Sequence, residues 1–203
     1  MVVNRKINSV EKIRELLRDQ NGVLLTSDLV KRGISRVYLA ILEKNGEIER
    51  VSRGVYTATS LITDEMASFQ ARYKRAVFSH ETALYLYDLT DRSPLLFSVT
   101  VSSGYNATSL KASGTKVYFV KRELLAVGIT TVKSPNGNDV QGYDIERTIC
   151  DIVRSRNQMD VQFISEALKR YAARGNKNLD LLFNYAGQFK MQNIVRHYLE
   201  VLL

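Results

Sequence analysis

Apolar residues recur at helical spacing at Val10, Ile13, Leu16 and Leu17, and Asn21-Gly22 ends that run. Thr26 stands just before a second, short helix in which Leu29 and Val30 face inward, and Gly33 stops it. After Ile34, Ser35 offers an N-cap oxygen to a third helix, Arg36 to Lys44, closed by Asn45-Gly46. The period then shortens from about 3.6 residues to about 2. Ile48, Val51, Val55 and Tyr56 sit in two β-biased runs around Ser52-Arg53-Gly54, which reads as a hairpin. Helix, turn, helix and hairpin in this order predict a winged helix-turn-helix over residues 1–60.

A domain boundary is expected near residues 57–62, where Thr57-Ala58-Thr59-Ser60 interrupts the pattern before Thr63-Asp64-Glu65 opens a new helix. Residues 61–203 then form a second domain. Helical spacing returns through Met66, Phe69 and Tyr73, followed by Val77-Phe78 and a Ser79-capped segment with Ala83, Leu84, Leu86 and Tyr87. Leu95 to Val101 and Lys116 to Val120 read as strands, with weaker ones at Ile129 to Val132 and Val140 to Tyr143, separated by Gly-, Asn- and Ser-rich turns. From Asp144 onward the pattern is helical again, through Ile145, Ile149, Ile152 and Val153, then Val161 to Leu168, Leu179 to Tyr185 and Ile194 to Leu199. The expected fold class is α+β, a winged helix-turn-helix followed by a mixed α+β domain.

Stepping about 100° per residue divides the third helix into two faces. Tyr38, Leu39, Ile41 and Leu42 share one, and Arg36, Val37, Ala40 and Lys44 lie opposite. A small residue flanked by cations suits a helix that enters a major groove about 12 Å wide. Arg36, in the first turn, is the candidate to reach a base edge. Thr26 and Ser35 head two helices whose N–H groups and positive dipole ends suit phosphate oxygens. Arg50 and Arg53 lie on or beside the wing, within reach of a minor groove or a phosphate. The same elements also build protein-docking modules, so an adaptor whose N-terminal domain meets protein is the alternative.

Charge agrees with a polyanionic partner: 29 Lys and Arg stand against 21 Asp and Glu, a net charge of +8. Residues 1–60 hold 11 basic and 7 acidic side chains and the rest 18 and 14, so the smaller N-terminal part is the denser in positive charge. A length of 203 residues with 45% hydrophobic content suffices for two small cores. Cys150 is the single cysteine, set among Ile149, Ile152 and Val153, and reads as a buried, inert thiol. The N-terminus lacks a cationic-then-apolar leader and no apolar run is long enough to span a bilayer, so a cytoplasmic protein without membrane contact is expected.

The stretch Gly33-Ile34-Ser35-Arg36-Val37-Tyr38-Leu39, followed by Leu42, Gly46, Ile48 and Arg50-Val51-Ser52-Arg53-Gly54-Val55-Tyr56, resembles the N-terminal winged helix of the AbiEi antitoxins. These are the repressor half of type IV toxin-antitoxin, abortive-infection systems. Phe78-Ser79-His80-Glu81-Thr82-Ala83-Leu84-Tyr85 and Glu146-Arg147-Thr148-Ile149-Cys150-Asp151 resemble two further stretches of that family, and the similarity fades after about residue 155. The resemblance implies a phage-defence antitoxin and transcriptional repressor that binds inverted repeats in its own promoter. It also implies that the C-terminal domain neutralises a nucleotidyltransferase-like toxin without a stable complex. Carried over position by position, DNA contact falls on Ser35, Arg36, Lys44, Arg50 and Arg53. Monomers are expected, binding DNA cooperatively at adjacent sites.

An enzyme is the rival class. No Gly-Ser turn followed by Asp-x-Asp or Asp-x-Glu is present to hold the metal that nucleotidyl transfer needs. His80 and His197 are far apart in sequence and lack neighbours at metal-ligand spacing, so neither metal nor cofactor is expected. His80-Glu81 is the best catalytic dyad on offer, and Asp139 and Asp144 read as caps. Arg170, Arg174 and Lys177, four and three residues apart, are expected to share a helical face that offers a second polyanion contact or a solvated surface.

Overall fold

The computed structural model describes residues 2–59 and 64–200, with side chains from residue 9 onward. Ser60 and Thr63, expected in the linker and at the head of the next helix, lie outside the described residues. The chain is a mixed α+β protein with two sheets, divided into two compact units, Met1–Lys74 with Lys133–Val140 and Arg75–Val132 with Gln141–Leu203. The first unit thus runs past the expected boundary and takes up a short segment from much later in the chain.

The first unit contains α1 (Val2–Asp19), β1 (Val23–Leu25), α2 (Thr26–Lys31), α3 (Val37–Lys44), β2 (Ile48–Ser52), β3 (Val55–Ala58) and α4 (Glu65–Arg72). Asn21 and Gly22 both adopt left-handed backbone, at φ 44° and 85°, and so turn the chain from α1 into β1. β1 is three residues of unalternated Val-Leu-Leu, too short to show a period of two. It completes an antiparallel sheet of order β1-β3-β2. Ile13, Leu16 and Leu17 of α1 pack with Leu24, Leu29, Ile34, Leu39, Leu42, Ile48 and Ala58 in one core. Val30, expected to face inward, is 55% exposed, because six-residue α2 has room for one buried position, Leu29. Asp64 caps α4 by accepting from the Ala67 amide at 2.9 Å. Its other oxygen accepts from the Ser134 hydroxyl and from Asn138 Nδ2, which ties residues 133–140 into this unit.

The second unit contains β4 (Val77–Phe78), α5 (His80–Leu86), β5 (Ser98–Ser102), α6 (Thr108–Ala112), β6 (Lys116–Val120), α7 (Arg122–Leu125) and, apart from their residues within 133–140, β7 (Ile129–Lys133) and β8 (Asp139–Tyr143). Four helices follow, α8 (Ile145–Arg154), α9 (Val161–Ala173), α10 (Leu179–Gln188) and α11 (Gln192–Glu200). The sheet has the order β6-β5-β4-β8-β7, with β5/β6 and β4/β8 parallel and β4/β5 antiparallel. The strand expected from Leu95 starts only at Ser98: Pro94 has no amide for a ladder, and Leu95 is fully exposed. Asp144 caps α8 by accepting from the Arg147 amide at 2.8 Å. α8 is buried from Glu146 to Val153, and its Ile149, Ile152 and Val153 anchor the core shared with α5, α9, α10 and α11. No helix among the described residues is long and apolar enough to cross a membrane.

Candidate nucleic-acid interface

α3 divides into the two faces that its sequence predicts. Leu39 and Leu42 are buried and Tyr38 and Ile41 half-buried, while Arg36, Val37, Ala40 and Lys44 face solvent. The turn from α2 is fixed by Gly33 at φ 66° and by the Ile34 amide, which donates to the Leu29 carbonyl at 2.8 Å. α3 starts at Val37, one residue later than expected, and Arg36 occupies the N-cap position in helical conformation. Ser35 thus stands one residue before the N-cap it was expected to occupy, and its Oγ accepts from the Val37 amide in a long contact of 3.4 Å. Part of its acceptor capacity is therefore spent on the helix itself.

The β2–β3 hairpin turns at Arg53-Gly54, with Ser52 opposite Val55 and Gly54 at φ 79°. The register shifts between Arg50 and Ser52, so Val51 is the extra residue of a bulge and stands 44% exposed. The Gly54 carbonyl accepts from both the amide and the hydroxyl of Thr26, at 2.9 and 3.1 Å. This corrects the expectation for Thr26. It is the first residue of α2 rather than the residue before it, and its own amide and hydroxyl hold the hairpin turn against the start of α2.

Thr26, Arg36, Leu39, Ala40, Glu43, Arg50, Arg53, Gly54 and Tyr56 line one open concavity of about 570 Å³. Lys44 lies one turn beyond Ala40 on the same exposed helix face. Among the described residues, Arg36, Lys44 and Arg53 have no hydrogen-bond or ion-pair partner, and Arg50 makes only a long contact from Nε to the Ser52 carbonyl, 3.4 Å. Glu43 is the carboxylate on the lining. Three guanidiniums converging on one open surface can donate to anionic oxygens, and a guanidinium can also pair with the edge of a guanine. Val37 was not among the expected contact residues. Its 66% exposure marks it out, and an aliphatic residue on the polar side of an amphipathic helix was already visible in the sequence.

The second basic cluster does not form the expected helical face. α9 ends at Ala173, so Arg174 and Lys177 lie past its end and only Arg170 projects from it. Arg170 binds Asp91 with both terminal nitrogens and Glu166 at 2.9 Å. Arg174 donates to the Tyr87 carbonyl at 3.0 Å, and Lys177 to the Arg174 carbonyl at 3.1 Å. These cations are engaged within their own unit, unlike those on α3 and the hairpin.

The other chemically suggestive residues are also committed. His80, at φ 49°, is fully buried and stacks on Tyr118 with ring centroids 3.4 Å apart. Its ring nitrogens lie 2.9 Å from the hydroxyls of Ser79 and Ser155. Burial, then the nearby Arg154, Lys116 and Arg147, hold its pKa well below the ordinary histidine value, so it stays neutral. Glu81 accepts from Lys116 at 2.6 Å and Ser98 at 2.7 Å, which separates it chemically from His80. Asp139 pairs with Lys133 at 2.6 Å instead of capping. Cys150 is buried, its thiol facing the Leu182 carbonyl, and burial followed by Asp151 pushes its pKa up to about 12. Among the described residues no group of three or more His, Cys, Asp or Glu side chains is placed to hold a metal.

The second unit's most conspicuous polar cluster is sealed in its interior. Arg147 and Asp151 are both fully buried and paired at 3.1 Å, and Arg154 reaches the other Asp151 oxygen at 2.9 Å. The Arg147 guanidinium lies between Tyr143 and Phe189, 4.0 and 4.4 Å from the ring centroids, and donates to the carbonyls of Leu124 and Val127. Burial pushes the Asp151 carboxyl up in pKa while the two guanidiniums push it back.

Comparison with known proteins bears on the fold and on the N-terminal segment. The solved structure of the RV2827C protein from Mycobacterium tuberculosis superposes with a TM-score of 0.64 at 14% identity, covering 95% of this chain and 76% of that one. At that identity the likeness is one of fold. No curated protein sequence matches the chain significantly. Residues 11–59, which span the second half of α1, α3 and the hairpin, match a family model described as transcriptional regulator, AbiEi antitoxin.

Proposed function

We propose that the chain is a DNA-binding transcriptional repressor whose N-terminal segment is a winged helix-turn-helix, with α3 as recognition helix and the β2–β3 hairpin as wing. One observation carries the reading: Arg36, Lys44 and Arg53 are exposed and unpartnered beside Arg50 around an open concavity, whereas the cations of the second cluster are engaged internally. Arg36 enters the major groove and pairs with a base edge. Lys44, Arg50 and Arg53 hold phosphates or the minor groove, and Ser35 places its hydroxyl near the backbone. The words regulator and antitoxin in the family description support a second role, and for it we infer that residues 61–203 neutralise a nucleotidyltransferase-like toxin without a stable complex while residues 1–60 bind inverted repeats of the promoter. The setting is the cytoplasm, and monomers occupy adjacent half-sites cooperatively.

The test is binding of the full chain to a duplex it selects from a randomised library, followed by fluorescence anisotropy. Arg36→Ala weakens binding by about 1–3 kcal/mol and relaxes preference at one base pair. Arg53→Ala weakens all sequences alike and flattens the plot of log K against log salt by about 0.9. Unchanged binding in the double variant sinks the assignment of α3 and the hairpin. For the second role, a nucleotidyltransferase-like gene is sought beside the gene for this chain, and growth is measured with the two co-expressed. Rescue by Arg36→Ala at wild-type level, with operator binding weakened, supports separate functions, and absence of rescue by the wild type removes the antitoxin reading.

A further inference from the structure

We propose that Val37 reads sequence: its isopropyl group packs on the 5-methyl of a thymine beside the base pair met by Arg36. This rests on the reading of α3 as a recognition helix. Val37 is 66% exposed, the most exposed large aliphatic side chain among the described residues of the first unit, ahead of Val30 at 55% and Val51 at 44%. It stands in the first turn of α3 between exposed Arg36 and exposed Ala40, on the face turned away from Leu39 and Leu42. Nothing in its own unit covers it, and a valine held in water gains only when an apolar partner arrives.

The chemistry of that partner follows from the groove. In the major groove guanine, adenine and cytosine show donors and acceptors, and thymine alone adds a methyl group. Pressing an aliphatic side chain onto a polar edge removes its water without replacing the hydrogen bonds, which is unfavourable. Valine in a helix is nearly fixed at χ1, so its two methyls meet the base with little loss of freedom. The backbone does not compete for the same edge, because the Val37 amide is taken by Ser35 Oγ. Ala40, one turn on, is small enough to let the helix approach. Arg36 and Val37 together thus specify a guanine and a thymine within about one base step.

The experiment uses the full chain and the duplex it selects from a randomised library, with each thymine replaced in turn by uracil, which keeps the pairing and removes only the methyl. One thymine per half-site is expected at which uracil weakens binding about fourfold, the effect of withdrawing one buried methyl-sized group. Val37→Ala should bind the thymine and uracil duplexes alike at that position, and Val37→Thr, which keeps one methyl, should discriminate partially. Circular dichroism confirms that these surface variants fold. If uracil is tolerated at every thymine while Arg36→Ala still weakens binding, Val37 reads no methyl and the recognition helix stands. A uracil effect that survives in Val37→Ala overturns the proposal equally, because another group then reads the methyl. Failure of the wild-type chain to select any sequence removes the DNA-binding reading itself.

Discussion

Replacing Arg147 by Met should be among the most damaging single changes in the second unit, and the structure says why and by how much. Both Arg147 and Asp151 have side chains with no exposure, so removing the guanidinium leaves one oxygen of a buried carboxyl unpaired, with only Arg154 on the other, and leaves the Leu124 and Val127 carbonyls without their donor. Breaking a buried pair from one side costs about 3–5 kcal/mol. At an m value of about 2 kcal/mol/M this moves the urea midpoint down by about 1.5–2.5 M. Asp151→Leu alone should cost a similar amount, because Arg147 then keeps its charge with no carboxylate. The double variant Arg147→Met/Asp151→Leu removes both charges, and Arg154, whose side chain is 28% exposed, can turn to water. What remains is the pair of stranded carbonyls, about 1–3 kcal/mol. The double variant should therefore be no less stable than either single one, measured by urea unfolding followed through far-UV circular dichroism. Losses that simply add would refute the argument, since they would mean the two side chains stabilise the core separately and not as a pair.

Gly128→Ala should destabilise through the same cluster, because Gly128 sits at φ 77° and an added Cβ would lie 2.6 Å from Arg147 Cβ; a cost of about 2 kcal/mol or more in urea unfolding is expected. Neutral, buried His80 sets a pH dependence: its folded pKa lies well below 6.5, so the unfolded chain takes up the proton first and stability, complete above pH 6.5, falls as the pH drops below that value. The slope should be about 1.4 kcal/mol per pH unit, and His80→Asn, which tolerates the φ of 49°, should flatten it. Thr26→Val should lower the stability of the first unit by about 1 kcal/mol without DNA present, through loss of the hydroxyl bond to Gly54, with Thr26→Ser restoring most of it; a Thr26 that acted only on phosphate would leave stability untouched.

What the sequence revealed tracks the length over which a physical pattern repeats. α3 was legible because eight residues carry a full apolar stripe against a polar face, and Asp144 because a carboxylate before an apolar periodic run is a cap signal. β1 was not legible, since three apolar residues fit strand and helix equally well. α6 and α7, five and four residues long, were missed for the same reason. The start of β5 differs because Leu95 and Leu96 look like strand residues in composition, yet they follow Pro94 on an exposed segment that joins no ladder. The segment 133–140 joins the first unit through Asp64, a contact across seventy residues that no local pattern encodes.

The candidate site follows a different rule. Sequence identifies a cation but not its partners, and Arg36, Arg53, Arg170 and Arg174 look alike until their surroundings are known. Arg170 is tied to Asp91, seventy-nine residues away, and Arg174 to the Tyr87 carbonyl, eighty-seven away, so both are already engaged in holding their unit together. An exposed pair of this kind contributes about 0–1 kcal/mol to stability, yet it lowers the gain from swapping Asp91 for a phosphate. Arg36 and Arg53 surrender no partner when an anion arrives, so their whole interaction with it adds to affinity. Thr26 shows the converse: the sequence marks it only as the head of a helix, and in the fold its hydroxyl is spent on Gly54, where it positions the hairpin that carries Arg53. The proposed binding surface is thus built from side chains the fold leaves unpartnered, held in place by side chains it has already used.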